Sequence, residues 1–541
     1  MRLASRAYFA DRIALALLLL AVLLLFMQAP ASGEFAWSDA PRHALNGVFV
    51  KDFLAAMPWN DPAGFAYRYY AQYPALTILF YPPLFYFISA PFYAVFGFSH
   101  TTALLVVGLH YAVFILGCYR IARRWFAALP AALLAACLLL LPELAFWGRQ
   151  IMLEIPAFAF LIWSVACFLD YQDGRRPLSL YLAIALLVLA MYIKISTGFM
   201  ALAYVASVFH MQGAKAWRTR RYYLAALLAG IALLPLIVLT LKFGQANVQS
   251  VTGIADAAVS RASVAGWLWY ARQLPQQMGW PALLASLAGI GLMCRRLAAE
   301  DRAAAFFLVA WFICGYVFFS AIDLKEARHS VFILPPLILL GALGLRSALP
   351  TQGKAALAFA LIFMATAGYT LLKRPVYYVD GYREAANIVA DGAPPGSAVL
   401  FSGYRDGAFV FNMRVREDRR DLTTVRADKL LLRVAVRREL GVAQKDYSEE
   451  EIARLIDAAG VHYVVAQLDF WTDLAVMQRL QHVLGSDHFS EVGRIQTRAN
   501  YPVSDKVLVI YRNNGSVSET PKSLNIELPI INRTIPAGQG R

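Results

Sequence analysis

Charge is what this chain has least of: only 16% of its 541 residues are Asp, Glu, Lys or Arg, while 59% are hydrophobic. A soluble domain is roughly 45–50% apolar and about a quarter charged, so the deficit excludes an ordinary water-soluble fold for most of the chain. Cysteine is almost as scarce. The five that exist (Cys118, Cys137, Cys167, Cys294 and Cys314) sit inside or at the edge of apolar runs. None has the spacing of a metal site, and the polar loops between runs hold no cysteine with which to form a disulfide. A single basic face is lacking too. The formal net charge is +15, but many of the cations flank apolar runs, as orientation signals do, and this argues against a nucleic-acid partner. No internal repeat is evident, although repeats are a common mark of secondary transporters.

What is present is a succession of long uncharged runs up to about Leu372, followed by a segment of ordinary soluble composition. This divides the chain into a membrane body, 1–372, and a C-terminal domain, 373–541. Arg2 and Arg6 before an apolar run, with Ala-Pro-Ala-Ser-Gly after it, have the pattern of a cleavable leader. The run is long for that and many more follow, so we read it as an uncleaved first span.

Basic clusters at 120–124, 175–176, 215–221, 295–296 with Arg302, and Arg346 with Lys354 mark one side of the membrane, the cytoplasmic one. Placing the N-terminus there sends the loop from about 30 to 74 outside. Two apolar runs, 75–98 and 101–119, then precede the basic 120–124 segment, where parity permits only one crossing. The run that dips or lies in the interface is expected to be the first, because Tyr81-Pro82-Pro83 and Pro91 interrupt its helical hydrogen bonding. The expected crossings are 12–28, 102–119, 128–146, 154–170, 179–194, 196–211, 223–243, 281–294, 303–321, 331–346 and 355–372. Each approaches the roughly 20 residues a spanning helix needs, and the last delivers the C-terminal domain outside.

In that domain the pattern predicts helices at 382–390, 429–440 and 449–459, the last capped by Ser448, and strands at 398–402, 461–466 and 506–511. The expected fold class is therefore an α-helical polytopic membrane protein of about 11 crossings plus interfacial helices, with a small α/β extracytoplasmic domain at its C-terminus. The arginine-rich stretch 414–438 is interleaved with Glu417, Asp418, Asp421 and Asp428 and is expected to be a solvated face.

On this topology the outer face gathers Asp39 and His43 from the first loop, Arg149 and Glu154 from the second, Lys194 from a tight turn, and Lys325, Arg328 and His329 from a late loop. A carboxylate that takes a nucleophile's proton, beside cations that hold an anionic leaving group, is what transfer of a group to an alcohol or amine requires. Each residue also has a structural reading. Asp39 before Pro41 suits an N-cap of a helix starting at the proline. His43 suits an exposed helix position, Glu154 the positive end of a helix dipole, and Lys194 a snorkelling span end. Arg149 suits an ion pair with Glu154, whereas Arg328 breaks the positive-inside pattern.

Taken in order, these landmarks resemble the glycosyltransferase family 39 and protein O-mannosyltransferase group of the GT-C class, which includes the lipid A aminoarabinose transferases. The matching residues are Trp37-Ser38-Asp39-Ala40, Tyr81-Pro82-Pro83-Leu84-Phe85-Tyr86, Arg149 to Pro156, Lys194, and Arg328-His329 ahead of Pro335-Pro336. The resemblance covers about the first 372 residues. It implies an enzyme of the inner (plasma) membrane that moves a sugar from a polyprenyl-phosphate donor to a lipid, glycan or protein acceptor on the outer side, with the C-terminal domain extracytoplasmic. It implies Asp39 as general base and Glu154 as the group that orients acceptor or sugar. It implies Lys194, Arg149 and Arg328 as ligands of the leaving phosphate, with His43, Tyr81 and His329 as further substrate-binding residues. Two positions depart from the pattern: Ala40 stands where a second acid is usual, leaving the role of a divalent cation open, and Glu154 stands where Asp is usual. The competing expectation is a polytopic transporter or exporter of a lipid-linked or anionic substrate.

Overall fold

The computed structural model describes residues 2–28, 34–244, 248, 259–295, 297–349, 351–434, 438, 441–518, 524–528 and 533–537. Seven of its helices are long and apolar enough to cross a bilayer: Tyr8–Met27, His100–Ala122, Glu154–Gln172, Arg220–Phe243, Ala299–Ser320, Ala327–Ala348 and Gln352–Lys373. Val264–Met278 and Trp280–Arg295, bent 116° at Gly279, add an eighth if they are counted as one broken span. The other expected crossings are shorter. The 128–146 run is split into Ala128–Leu139 and Pro142–Trp147, because Pro142 has no N–H to continue the first helix. Leu178–Met191 and Phe199–Gln212 have 14 residues each. The interrupted early run forms Leu84–Phe96, whose 13 residues rise only about 20 Å, short of the roughly 30 Å hydrocarbon core.

Small residues bring the late helices together. A Cβ on Gly344 would lie 1.7 Å from the Gly289 carbonyl oxygen, and one on Gly341 would lie 2.6 Å from Ser286 Cα. Backbone therefore packs on backbone there, as it does where apolar burial cannot drive helix association.

Beyond the end of this bundle lies Asp39–Ala56, a helix mostly buried although it is too polar to be a span. It begins at Asp39, not Pro41, and Ser38 makes no side-chain cap. The N-cap reading of Asp39 is thus replaced: its carboxylate is turned elsewhere.

The C-terminal domain is built on a five-stranded mixed sheet in the order Thr423–Arg426, Ala398–Ser402, Val461–Ala466, Val507–Asn513, Phe489–Gln496. The first three strands are parallel, and Val507–Asn513 runs antiparallel to both of its neighbours. Helices Tyr382–Gly392 and Glu449–Ala458 form as expected, the latter with a Ser448–Glu451 capping box. The helix expected at 429–440 does not. Ala427–Leu431 is a short turn that passes into the strand Leu432–Val434, paired with Val442–Gln444, and 435–437 and 439–440 fall outside the described residues.

The arginine-rich stretch is the largest correction, for it is a solvated face only in part: Glu417, Asp418, Arg420 and Asp421 are exposed, but Arg414 and Arg426 are turned inward. Arg414 is fully buried, pairs with Asp52 and donates to Tyr69 Oη at 2.9 Å. Arg426 joins Asp406 at 2.5 Å and Asp428 at 2.6 Å and donates to the Pro74 carbonyl. Interleaved charges from 414–428 thus fasten the domain to the 39–74 segment, a destination 350 residues away that periodicity does not encode.

Glu34 adds a titratable fastening. Its N–H donates to Val379 O, and its carboxylate accepts from the Arg383 N–H and from Asn412 Nδ2. Burial pushes its pKa up to about 7, with nearby Asp380 adding to the rise and Arg383 and Asn412 opposing it. A folded-state pKa raised above the unfolded value means the native state holds this proton longer. Stability should then fall as pH rises from about 4.5 to about 7 and level off above, by on the order of 3 kcal/mol from this group. Thermal unfolding of the purified chain across that window should show the slope in wild type and lose it in Glu34→Gln. An identical slope in both would refute the assignment.

Candidate active site

Four segments converge at the end of the bundle beneath the C-terminal domain. Asp39 comes from the start of its helix, Glu154 opens the Glu154–Gln172 span, Lys194 follows the Leu178–Met191 helix, and Arg328 lies in the 3-10 turn Ala327–Ile333. Lys194 Nζ donates to Glu154 Oε1 at 2.5 Å. Arg328 Nη1 donates to Asp39 Oδ2 at 3.2 Å, its Nε lies 4.0 Å from Glu154 Oε1, and it also bonds Glu326. One guanidinium therefore serves three carboxylates. Its plane lies over the Trp147 ring, 5.9 Å from the centroid.

The two carboxylates differ in access. The Glu154 side chain is 1% exposed and that of Asp39 26%. Burial alone would raise the Asp39 pKa, but the Arg328 guanidinium, with Arg42 behind it, outweighs this and holds the carboxyl below its usual range, so it is ionised. Glu154 Oε2 is buried without a hydrogen-bond partner among the described residues, and so is His329 Nδ1. Two unsatisfied polar atoms beside one ion cluster are free hydrogen-bonding capacity of the kind a ligand's hydroxyl or amide takes up.

His43 is carried one turn along from Asp39. Its Nδ1 lies 2.9 Å from Tyr86 Oη, and its ring packs edge-on against Tyr81 at 4.7 Å. Burial depresses its pKa to about 4 against the opposing pull of Asp39 and Glu154. It is therefore neutral at physiological pH, a wall of the site and not a phosphate-binding cation. Its exposed-residue reading fails, since the residue is 2% exposed.

Arg149 is not brought into this cluster. Its Nε donates to Ala145 O at 2.9 Å, and no carboxylate among the described residues pairs with it, so the expected pair with Glu154 is absent and Lys194 takes that place. Burial lowers the Arg149 pKa to about 10, with Tyr111 opposing. Lys325 likewise turns away, donating to Ser320 O and Ile322 O at 2.6 and 2.5 Å.

Three contributors escape a reading of the sequence alone. Glu326 is the nearest carboxylate to both Arg328 and His329. Trp147, under the Arg328 guanidinium, packs against Trp37 at 5.0 Å with the ring planes tilted by 42°. Gln277, from the Val264–Met278 helix, donates to Ala327 O and Ser330 Oγ at 2.8 Å and so props the turn bearing Arg328. The signals that point to them are Trp37, the residue before Ser38-Asp39, and the acid two positions before Arg328. Among the described residues no group of three or more His, Cys, Asp or Glu has the geometry to hold a metal ion. Both Asp39 and Glu154 are already committed to cations, so the residues do not fit a resident divalent ion.

Removing Arg328 would take from Asp39 its cationic hydrogen-bond donor and leave Glu154, 1% exposed, with Lys194 alone, a loss on the order of 3–5 kcal/mol. Arg328→Met should lower the thermal midpoint clearly, and adding Glu154→Gln to it should recover part of the loss. An unchanged midpoint in Arg328→Met would show that the cluster is not held by this residue.

Comparison with known proteins places the geometry in a class. Residues 81–239 match the family model for dolichyl-phosphate-mannose-protein mannosyltransferase. That segment contains Tyr81, Arg149, Glu154 and Lys194 but neither Asp39 nor Arg328. Among curated proteins none matches significantly. The crystal structure of ArnT from Cupriavidus metallidurans, bound to undecaprenyl phosphate, superposes with a TM-score of 0.61 at 15% identity, covering 93% of this chain and 98% of that one. The mycobacterial arabinofuranosyltransferase AftD gives 0.55 at 16% identity over 95% of this chain and 40% of that one. The archaeal oligosaccharyltransferase AglB from Archaeoglobus fulgidus, in complex with an inhibitory peptide and a dolichol-phosphate, gives 0.53 at 12% identity over 97% and 77%. The chain is a multi-pass membrane protein of GT-C fold, PMT- and ArnT-like in arrangement, and glycosyl transfer is the activity that the matched model and these neighbours have in common.

Proposed function

We propose that the chain is a membrane glycosyltransferase that takes a sugar from a polyprenyl-phosphate donor and passes it to an acceptor at the extracytoplasmic face, with Asp39 as general base. The observation that carries this reading is the meeting of Asp39, Glu154, Lys194 and Arg328 around one guanidinium, on a fold whose neighbours ArnT and AglB were captured with polyprenyl phosphates.

The acceptor's hydroxyl or amine attacks the anomeric carbon of the donor sugar. The bond from that carbon to the phosphate oxygen breaks, and its electron pair leaves on polyprenyl phosphate. Asp39 receives the acceptor's proton. With one base and no protein nucleophile, attack comes from the face opposite the phosphate and the anomeric configuration inverts. Phosphate is already a good leaving group, so no acid is needed, and positioning with charge stabilisation supplies most of the rate. Arg328 and Lys194 face the departing phosphate. Glu154, its Oε1 fixed by Lys194, offers its unsatisfied Oε2 to a hydroxyl of sugar or acceptor.

A lowered Asp39 pKa suits this order of events. The base must be ionised on arrival, and it accepts a proton only once the attacking oxygen has gained positive character. Donor phosphate competes for Arg328, which weakens the hold on Asp39 and raises its basicity when it is needed.

Purified protein incubated with a panel of polyprenyl-phosphate sugars and an envelope extract that supplies acceptors should release polyprenyl phosphate from at least one. Asp39→Asn should fold and lose about 10²–10⁴-fold in turnover. Full turnover in that variant would dismiss Asp39 as the base, and no release from any donor by wild type would favour a transporter.

A further inference from the structure

The backbone that leads into Asp39 is held from outside the membrane body. Ala36 O accepts from Arg405 Nη1 at 2.6 Å and from Tyr501 Oη at 3.0 Å. Two residues on, Ser38 O accepts from Arg42 Nη1 at 2.6 Å, while Arg42 Nη2 is held by both oxygens of Asp406 at 3.0 and 2.8 Å. Arg405 is itself braced by Asp505 Oδ2 at 2.6 Å, a carboxylate 2% exposed that also accepts from Tyr382 Oη at 2.6 Å. Arg405, Asp406, Tyr382, Tyr501 and Asp505 all belong to the C-terminal domain. The approach is close: a Cβ on Gly407 would meet Pro41 Cγ at 3.0 Å and Arg42 Nη1 at 3.1 Å.

We propose that the C-terminal domain is a working part of the site, with Arg405 and the Arg42–Asp406 pair as positioning residues that fix the chain at Ala36 and Ser38 and so aim the carboxylate of Asp39. This rests on the reading of Asp39 as the base.

The segment needs such support. Trp37 and Ser38 are exposed, Ser38 does not cap the helix that follows, and Asp39 is that helix's first residue. Within the segment the backbone bond from Ala40 N to Trp37 O, long at 3.2 Å, is what spans the helix start. Charge-assisted bonds from guanidinium groups are the strong class of hydrogen bond, and here they fall on alternate carbonyls immediately ahead of the reactive residue. From the opposite side Arg328, carried by the membrane body, holds the carboxylate. Asp39 is thereby suspended between two parts of the chain. A base displaced by about 1 Å loses on the order of 10²-fold in rate, so the domain's grip on backbone should appear in turnover and not in donor affinity.

The test uses the full chain with Arg405→Gln, Arg405→Lys and Asp406→Asn. Amide exchange over residues 37–40, read at Ala40 in particular, should quicken in Arg405→Gln while the five-stranded sheet keeps its protection. With the donor found active for wild type, kcat should fall about 10²-fold with the donor's KM nearly unchanged, and Arg405→Lys should recover part of it. Adding Arg405→Gln to Asp39→Asn should cost nothing further, because the two act through one group. Unchanged exchange at 37–40, or a second loss in the Asp39→Asn background equal to that in wild type, overturns the proposal. If wild type turns over no donor, the transferase reading falls, while the exchange measurement still decides whether the domain holds this segment.

Discussion

One guanidinium makes the rest of this site possible. Carboxylates from three separate places, Asp39, Glu154 and Glu326, reach the Arg328 side chain, and Glu154 is almost wholly buried. A lone ionised carboxylate cannot persist in so dry a place, since the cost of removing it from water far exceeds what packing returns. Arg328 and Lys194 supply the compensation. Their own supports follow from that need: Gln277 props the turn beneath Arg328, Trp147 lies under its plane, and the span end at Met191 releases the chain so that Lys194 can fold back onto Glu154. Helix lengths and breaks in the body are, at this end, consequences of bringing two cations to three acids.

The remainder of the fastening lies between the two halves of the chain, and it is of a different kind. In the bilayer-facing body, small residues and aromatic rings make the contacts, as at Gly289 and Gly344. Between the C-terminal domain and the 34–74 segment, ion pairs join the apolar contacts such as Phe35 on Phe411: Arg414 with Asp52 and Arg42 with Asp406. Such pairs are directional and lose heavily when one partner is removed. They specify one docking geometry where an apolar interface would tolerate sliding. A chain whose reactive acid sits at the junction has a use for that intolerance.

Much of this was legible in the residues. The composition break near Leu372, the interruption at Pro82-Pro83, and the capping pattern at Ser448–Glu451 each depend on local chemistry, and each appears where expected. Asp39, Glu154, Lys194 and Arg328 were recognisable because ionisable groups at the ends of apolar runs are rare and costly. What was not legible depends on partners distant in sequence. The helical period at 429–440 gives way after Leu431 because Leu432–Val434 finds a strand to pair with. The arginines of 414–428 read as a solvated face because their neighbours are acids, yet Arg414 is sealed against Asp52 from the other end of the chain. The Arg149–Glu154 pair, close in sequence, is absent because Glu154 is satisfied by Lys194 and Arg328.

On the proposed reading, the charge balance also constrains how a donor phosphate binds. At rest the cluster holds three acids against two cations, Arg328 and Lys194, since burial keeps His43 neutral. An arriving phosphate therefore meets cations that are already occupied. It must take a share of Arg328 or Lys194, and whatever it takes is withdrawn from Asp39 or Glu154. Binding energy spent in loosening those pairs does not appear as affinity, but it leaves the carboxylates less neutralised than before, and so more basic and more able to accept a hydrogen bond from a hydroxyl. A site with surplus, unpaired cations would bind the same phosphate more tightly and leave the base unchanged. On the proposed reading this balance couples the arrival of the leaving group to the strength of the base, and the backbone held ahead of Asp39 keeps the freed carboxylate aimed at its target.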